Sequence, residues 1–158
     1  MAKKLTIRRG KQEDLSFLKR LFEETILEVC QADYSPQQLA TWASGAQKST
    51  LWQRILNEQI LLVAEIEMKI VGFCTLENGN HVDFLYIHKD HQFRGIAKQL
   101  FESIEKQAIK TFSTVLSADV SKTAKPFFEK MGFEVVNPQT VVLDGVSFTN
   151  FKMKKQLL

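Results

Sequence analysis

The chain is poor in the residues that staple, punctuate or span. Only 2 of its 158 residues are cysteine, and Cys30 and Cys74 each stand alone in an apolar pattern. Two isolated cysteines cannot build a disulfide framework, so both are expected as reduced core thiols, the usual state in the cytoplasm. With 3 prolines and 7 glycines, neither a collagen-like nor a low-complexity chain fits. The longest unbroken apolar run, Ile60 to Ala64, falls far short of a membrane span. Met-Ala-Lys-Lys-Leu-Thr-Ile-Arg-Arg opens with positive charge and no apolar stretch behind it, so no secretory signal is expected. A net charge of +3 permits an anionic ligand, but no lysine–arginine cluster is dense enough for a nucleic-acid stripe. What is present is 44% hydrophobic and 25% charged, an ordinary globular composition expected to form one domain over 1–158.

Periodicity supplies the elements. Lys4 to Arg9 alternates as a strand and stops at Gly10. From Glu13 to Cys30, Leu15, Leu18, Phe22, Ile26 and Val29 step by three and four, the mark of an amphipathic helix. Ser35-Pro36-Gln37-Gln38 reads as a capping box opening a short helix with Leu39 and Trp42. Thr50 and Gln53 repeat the pattern ahead of Trp52, Ile55 and Leu56. Strands follow at Ile60–Ile66 and Ile70–Leu76, and Asn78-Gly79 joins the second to His81–His88 as a hairpin. A helix from Gly95 to Lys110 should cross over to a parallel strand, Val115–Val120. Thr123 is expected to cap a helix ending at Met131, with Gly132 as its left-handed stop and Phe133 folded back. A last hairpin, Val141–Leu143 with Val146–Met153, turns at Asp144-Gly145. The expectation is a mixed α/β sheet.

One stretch carries the chemistry. His81 to His88 is a strand, and Gln92-Phe93-Arg94-Gly95-Ile96-Ala97 runs from it into a helix start. A strand, a loop with one glycine and a helix N-terminus turn several unpaired N–H groups toward one point, which suits phosphate oxygens. Lys89, Arg94 and Lys98 add positive charge. Gly-x-Gly-x-x-Gly and P-loop patterns are absent, so dinucleotide and nucleotide-triphosphate readings are poor.

These residues resemble the GNAT N-acetyltransferases, whose signature is an aliphatic–aromatic–aliphatic triplet followed by R/Q-x-x-G-x-G/A. Here the elements are Leu85-Tyr86-Ile87 and Gln92-x-x-Gly95-x-Ala97. Ser121-Lys-Thr-Ala-Lys-Pro-Phe-Phe-Glu-Lys-Met-Gly-Phe133 is similar to the family's second block. Tyr34 to Trp42 and Gly145 to Met153 resemble the small bacterial YafP-like branch. The resemblance implies a mixed, mostly antiparallel twisted sheet flanked by helices on both faces. It also implies acetyl-coenzyme A as cofactor and a primary amine, small molecule or protein, as acceptor. By position, amides of Phe93, Arg94, Gly95, Ile96 and Ala97 would hold the pyrophosphate, with the Gln92 and Arg94 side chains lining the site. The backbone beside Leu85, at Tyr86 and Ile87, would pair with the pantetheine arm. Ser121 stands where many relatives have a pantetheine-contacting asparagine. Phe128 stands where many have the tyrosine that protonates the departing thiolate, so it cannot serve as the acid. A thiol with pKa of roughly 8.5 leaves tolerably without one, and Tyr86 or a water is the substitute donor.

A lysine-like amine, pKa roughly 10.4, is almost wholly protonated near neutrality, so a carboxylate must draw off its proton. Asp83, interrupting an apolar strand, is the first choice, and Glu77 the second. Alternation would set Asp83 with Leu85 and Ile87 unless a bulge shifts the register. An equally simple reading pairs Asp83 with a surface cation. His81, His88 and His91 read as solvated loop residues, because no second Cys or His pair completes a metal site. Trp42 and Trp52 could line an acceptor pocket, but at helical spacing beside Leu39 and Ile55 they read first as core, and Tyr34 reads as the exposed aromatic. The closing hairpin offers an edge through which two copies could pair. The rival reading is a catalytically weak acyl-coenzyme A sensor.

Overall fold

The computed structural model describes residues 3–157. Seven strands form one sheet in the order β1-β2-β3-β4-β5-β7-β6. They are β1 Leu5–Arg9, β2 Ile60–Ile66, β3 Lys69–Glu77, β4 His81–Ile87, β5 Val115–Val120, β6 Glu134–Leu143 and β7 Val146–Gln156. The helices are α1 Leu15–Val29, α2 Pro36–Ala43, α3 Ser49–Glu58, α4 Ile96–Lys110 and α5 Lys125–Lys130. Every strand pair is antiparallel except β4 with β5. Among the described residues, no helix is long and apolar enough to cross a membrane.

Two cores sandwich the sheet. On one face α4 and α5 bury Leu100, Phe101, Ile104 and Phe128 against Val82, Leu116, Ala118 and Met153. On the other, α1–α3 bury Leu18, Phe22, Ile26, Trp52 and Ile55 against Val63, Phe73 and Phe84. Trp52 is fully buried and donates its indole N–H to the Gly45 carbonyl at 3.0 Å, which satisfies its only polar atom. Arg8 grips both oxygens of Asp14 at 2.8 Å, fixing β1 to the start of α1.

The hairpins form where the turn chemistry demands. Asn78-Gly79 and Asp144-Gly145 have positive φ at both positions, as a two-residue turn of matching twist requires. Several local expectations need correction. Thr50 caps nothing: α3 begins at Ser49, with Lys48 before it. Thr123 does not cap α5, which starts at Lys125. Ser121 Oγ accepts the Ala124 N–H at 3.1 Å instead, while Thr123 donates its hydroxyl to Asp33. Tyr34 is buried rather than exposed, because its hydroxyl donates to the Thr149 carbonyl and accepts from the Lys122 N–H. His81 opens β4, as the strand expected from His81 to His88 has it, and His88 lies just past its end. The last hairpin is longer than its apolar residues suggest, and β7 inserts between β5 and β6.

One irregularity shapes everything near the site. β4 faces β3 through Cys74–Leu85 and then Leu76–Val82, so Asp83 and Phe84 together oppose Thr75. This bulge is held by the fully buried Thr75, whose Oγ1 accepts the Phe84 N–H at 3.0 Å. Thr75→Val is nearly isosteric but orphans that N–H, and is expected to destabilise by about 1–3 kcal/mol. Thr75→Ser should lose much less. Chemical denaturation of the pair checks this, and equal losses would remove the bulge bond from the account.

Candidate active site

β4 and β5 pair in parallel only at His81–Ser117 and Val82–Ala118, and then part. From Asp83 onward one side of β4 has no strand beside it. The His88 N–H donates to the Val71 carbonyl at 2.8 Å, so alternation turns the backbone groups of Tyr86 toward β3. Those of Leu85 and Ile87 point into the gap. The Ile87 carbonyl is already taken by Thr25 Oγ1 at 3.0 Å and Gln92 Nε2 at 2.7 Å. The Leu85 N–H and C=O and the Ile87 N–H are therefore the groups that an added strand could use. Of the expected Tyr86–Ile87 pair, Tyr86 offers its side chain to the cavity rather than its backbone.

A cavity of about 710 Å³ fills this gap and continues to the start of α4. Leu85, Tyr86, Ile87, Gln92, Phe93 and Arg94 all line it, as do Gly95, Ile96, Ala97, Ser121 and Phe128. The helix start has no side-chain cap, and the first bond of α4 is Gln99 N–H to Gly95 C=O at 3.2 Å. The N–H groups of Gly95, Ile96, Ala97 and Lys98 therefore precede the helical ladder and remain available to an anion. Lys98 was outside the amides expected from sequence. Gly95 lines the cavity at φ +79°, a conformation that strains any side chain, and a Cβ there would meet no atom within 4 Å. Phe93, at φ 60° and fully exposed, shows how sharply the loop turns. The Gln92 amide is spent on the Ile87 carbonyl, so this side chain braces the loop. Ser121 Oγ is likewise engaged at the start of α5.

The other end is aromatic and acidic. Tyr34, Trp42, Tyr86 and Phe148 wall it, with Tyr34–Trp42 ring centroids 5.4 Å apart and Trp42–Tyr86 6.4 Å. Burial pushes the Tyr86 phenol well above its ordinary range, so it stays protonated and keeps a hydrogen to donate. Burial also raises the Cys30 thiol, making it a poor nucleophile at this wall. Phe128 packs edge-on against Phe133 at 5.0 Å.

Asp83 and Glu77 meet at one side chain. The Gln59 Nε2 donates to Asp83 Oδ2 at 2.8 Å and to Glu77 Oε2 at 3.3 Å. Gln59 is buried at the end of α3, so the bulge has moved Asp83 away from Leu85 and Ile87, which pack toward α4. Asp83 reaches the cavity; Glu77 does not line it. Asp119 does, although nothing in the sequence reading singled it out. Its signal was the same as that of Asp83: one carboxylate between apolar neighbours, Ala118 and Val120. Asn150 also lines the cavity, with a buried Oδ1 that has no partner among the described residues. His88 and His91 stack edge-on at 5.2 Å in the loop. No cluster of three or more metal-ligating side chains occurs among the described residues.

Known proteins share this arrangement. A YafP protein of Escherichia coli, described as an uncharacterised N-acetyltransferase, is 32% identical over 150 residues, covering 95% of both chains. A crystal structure described as a GCN5-related N-acetyltransferase from Rhodopseudomonas palustris superposes with TM-score 0.95 at 30% identity, covering 99% of each chain. An N-acetyltransferase from Thermoplasma acidophilum, solved in complex with coenzyme A, has the same fold: TM-score 0.80, 22% identity, 97% and 99% covered. The profile of the acetyltransferase (GNAT) domain matches residues 30–155. With the parted β4 and β5 and the uncapped start of α4, this places the chain in the GNAT acetyltransferase family.

Proposed function

We propose that this protein transfers the acetyl group of acetyl-coenzyme A to a primary amine by direct attack, without a covalent enzyme intermediate. It works as one domain, 1–158, in the cytosol. The observation that carries the reading is the unpaired edge of β4 running into a helix start with four available amides. An extended arm with amide groups and a diphosphate at its far end matches both halves of that track. The residues present fit the group. The N–H groups of Gly95 to Lys98 would take the diphosphate, with Arg94 beside them, and Leu85 and Ile87 would pair with the pantetheine amides. When bound, acetyl-coenzyme A supplies an acyl group activated as a thioester.

The chain's own residues then have three tasks. Asp83, held by Gln59, draws the ammonium to the gap and takes a proton, directly or through water. With the Leu85 carbonyl and the Ile87 N–H given to the pantetheine amides, the Leu85 N–H is left to face the gap where negative charge develops on the carbonyl oxygen. Tyr86, kept protonated by burial and lining the cavity, is the hydroxyl assigned as donor toward the sulfur, since Phe128 has none. The aromatic walls exclude water around these groups. Absence of a hydroxyl at Phe128 also favours the second reading, an acyl-coenzyme A sensor with little turnover.

Calorimetry with acetyl-coenzyme A, followed by thiol release across a panel of amines, separates the two. Binding with turnover supports the transferase, and binding without turnover on any amine supports the sensor. Gly95→Val should weaken acetyl-coenzyme A by roughly tenfold or more, about 1.4 kcal/mol, because the side chain enters the cavity. An unchanged Kd would remove the helix start from the site. Asp83→Asn should lower kcat/KM by about 10²-fold while Kd for acetyl-coenzyme A holds. Full activity of this variant across the pH range would give the proton work to another group.

A further inference from the structure

An ammonium nitrogen carries three protons and the secondary amide it becomes carries one. Two protons leave it, one to restore the thiol and one to solvent. Asp83 is backed by an amide rather than by a titratable side chain. Its partner, the Gln59 amide, can donate but cannot carry a proton onward, and Gln59 is buried. A second carboxylate at the cavity has such an outlet.

The parallel register sets His81 beside Ser117 and Val82 beside Ala118, so the next residues across the opening gap are Asp83 and Asp119. Val82 and Ala118 belong to the core under α4, so His81, Ser117 and Asp119 lie on the opposite face. There His81 Nδ1 is 2.8 Å from Ser117 Oγ, and its Nε2 is 3.7 Å from Asp119 Oδ2. The other Asp119 oxygen accepts from Gln139 Nε2 at 2.8 Å, which fixes the carboxylate. Ser117 Oγ has its own acceptor in the Asn80 carbonyl at 3.5 Å. The hydroxyl can therefore receive the Nδ1–H of a neutral ring, leaving the Nε2 lone pair turned to Asp119. The His81 side chain is 23% exposed and that of Asp119 50%, so the chain of groups reaches water. Glu77 stands across from His81 on β3, Asp83 lies on the same strand, and Lys154 and Lys152 pair with Ser117 and Asp119 on β7.

We infer that Asp119, backed by His81 and Ser117, is the exit for the proton that the acceptor nitrogen releases to solvent. This rests on the transferase reading above and adds Asp119 as a catalytic residue, with His81 as the relay behind it. In the step, an N–H bond of the acceptor breaks and its electron pair stays on nitrogen. The proton joins Asp119 Oδ2, passes to His81 Nε2 and leaves the imidazolium for water. The other proton, taken by Asp83, replaces the one that Tyr86 gives to the sulfur, so no other reactant is required. At 3.7 Å the ring and the carboxylate are just outside hydrogen-bond contact, so the half-exposed Asp119 side chain must close on Nε2 by about 0.5–1 Å for the proton to pass.

The test uses His81→Gln and Asp119→Asn, with phenethylamine as acceptor because the cavity wall is aromatic, and its β,β-difluoro analogue, whose nitrogen is far less basic. If another amine of the panel proves better, it and its fluorinated analogue replace the pair. Both variants should lower kcat/KM on the basic amine by about 10²-fold, the size of a general-base effect. On the fluorinated amine they should stay near wild type, because its proton leaves unaided. Melting temperature and Kd for acetyl-coenzyme A should hold in both, and Ser117→Ala should show the same dependence on amine basicity in milder form. Equal losses on the two amines, or no loss on either, overturn the inference. A wild-type protein that turns over no amine overturns the transferase reading itself, a distinct result.

Discussion

The structure depends on where one ladder of hydrogen bonds stops. β4 and β5 share only His81–Ser117 and Val82–Ala118 before diverging. A fully paired strand would leave no polar backbone to offer a ligand, and an unpaired one buried in protein would be unstable. Here the gap is tolerated because it opens into a cavity and because side chains tie down part of it. Thr25 and Gln92 satisfy the Ile87 carbonyl, and Thr75 satisfies the Phe84 N–H at the bulge. The Leu85 groups and the Ile87 N–H remain. The protein thus keeps a short polar edge inside an otherwise closed fold, and the amides at the start of α4 continue it.

That edge separates two chemistries. Toward α4 the groups are backbone donors and cations, suited to negative charge. Toward β5 and β7 they are aromatic rings and carboxylates, suited to an amine on an apolar body. The bulge links the two ends by turning Asp83 out of strict alternation, so that Leu85 and Ile87 pack toward α4 while Asp83 turns to Gln59 on the opposite face. Gln59, at the end of α3, then holds Asp83 and Glu77 together, although only Asp83 reaches the cavity.

Much of this was visible in the sequence because it was local. Asn78-Gly79 and Asp144-Gly145 demand their turns, Ser35 and Gln38 form their reciprocal cap, and the α4 stripe announces itself by spacing. The start of α4 was readable for the same reason, since strand, loop and helix start are consecutive. What escaped was decided at long range. Tyr34 is buried by contacts with Thr149 and Lys122, more than 85 residues away. Thr123 lost its expected cap to Ser121, two residues earlier and equally able to accept. The insertion of β7 between β5 and β6 has no local signature. Asp119 and His81 come together only through the β4–β5 register, and that register cannot be read from either strand alone.

The central claim is that the free edge of β4 and the start of α4 form one continuous track of donors for an extended, phosphate-bearing ligand. Backbone amide NMR with titrated coenzyme A tests it most directly. Large shifts and slowed hydrogen exchange are expected at Leu85, Ile87, Ile96, Ala97 and Lys98, with Tyr86, paired to β3, moving little. Saturable binding that leaves those five amides unchanged, or that perturbs them at one end of the track only, would contradict it.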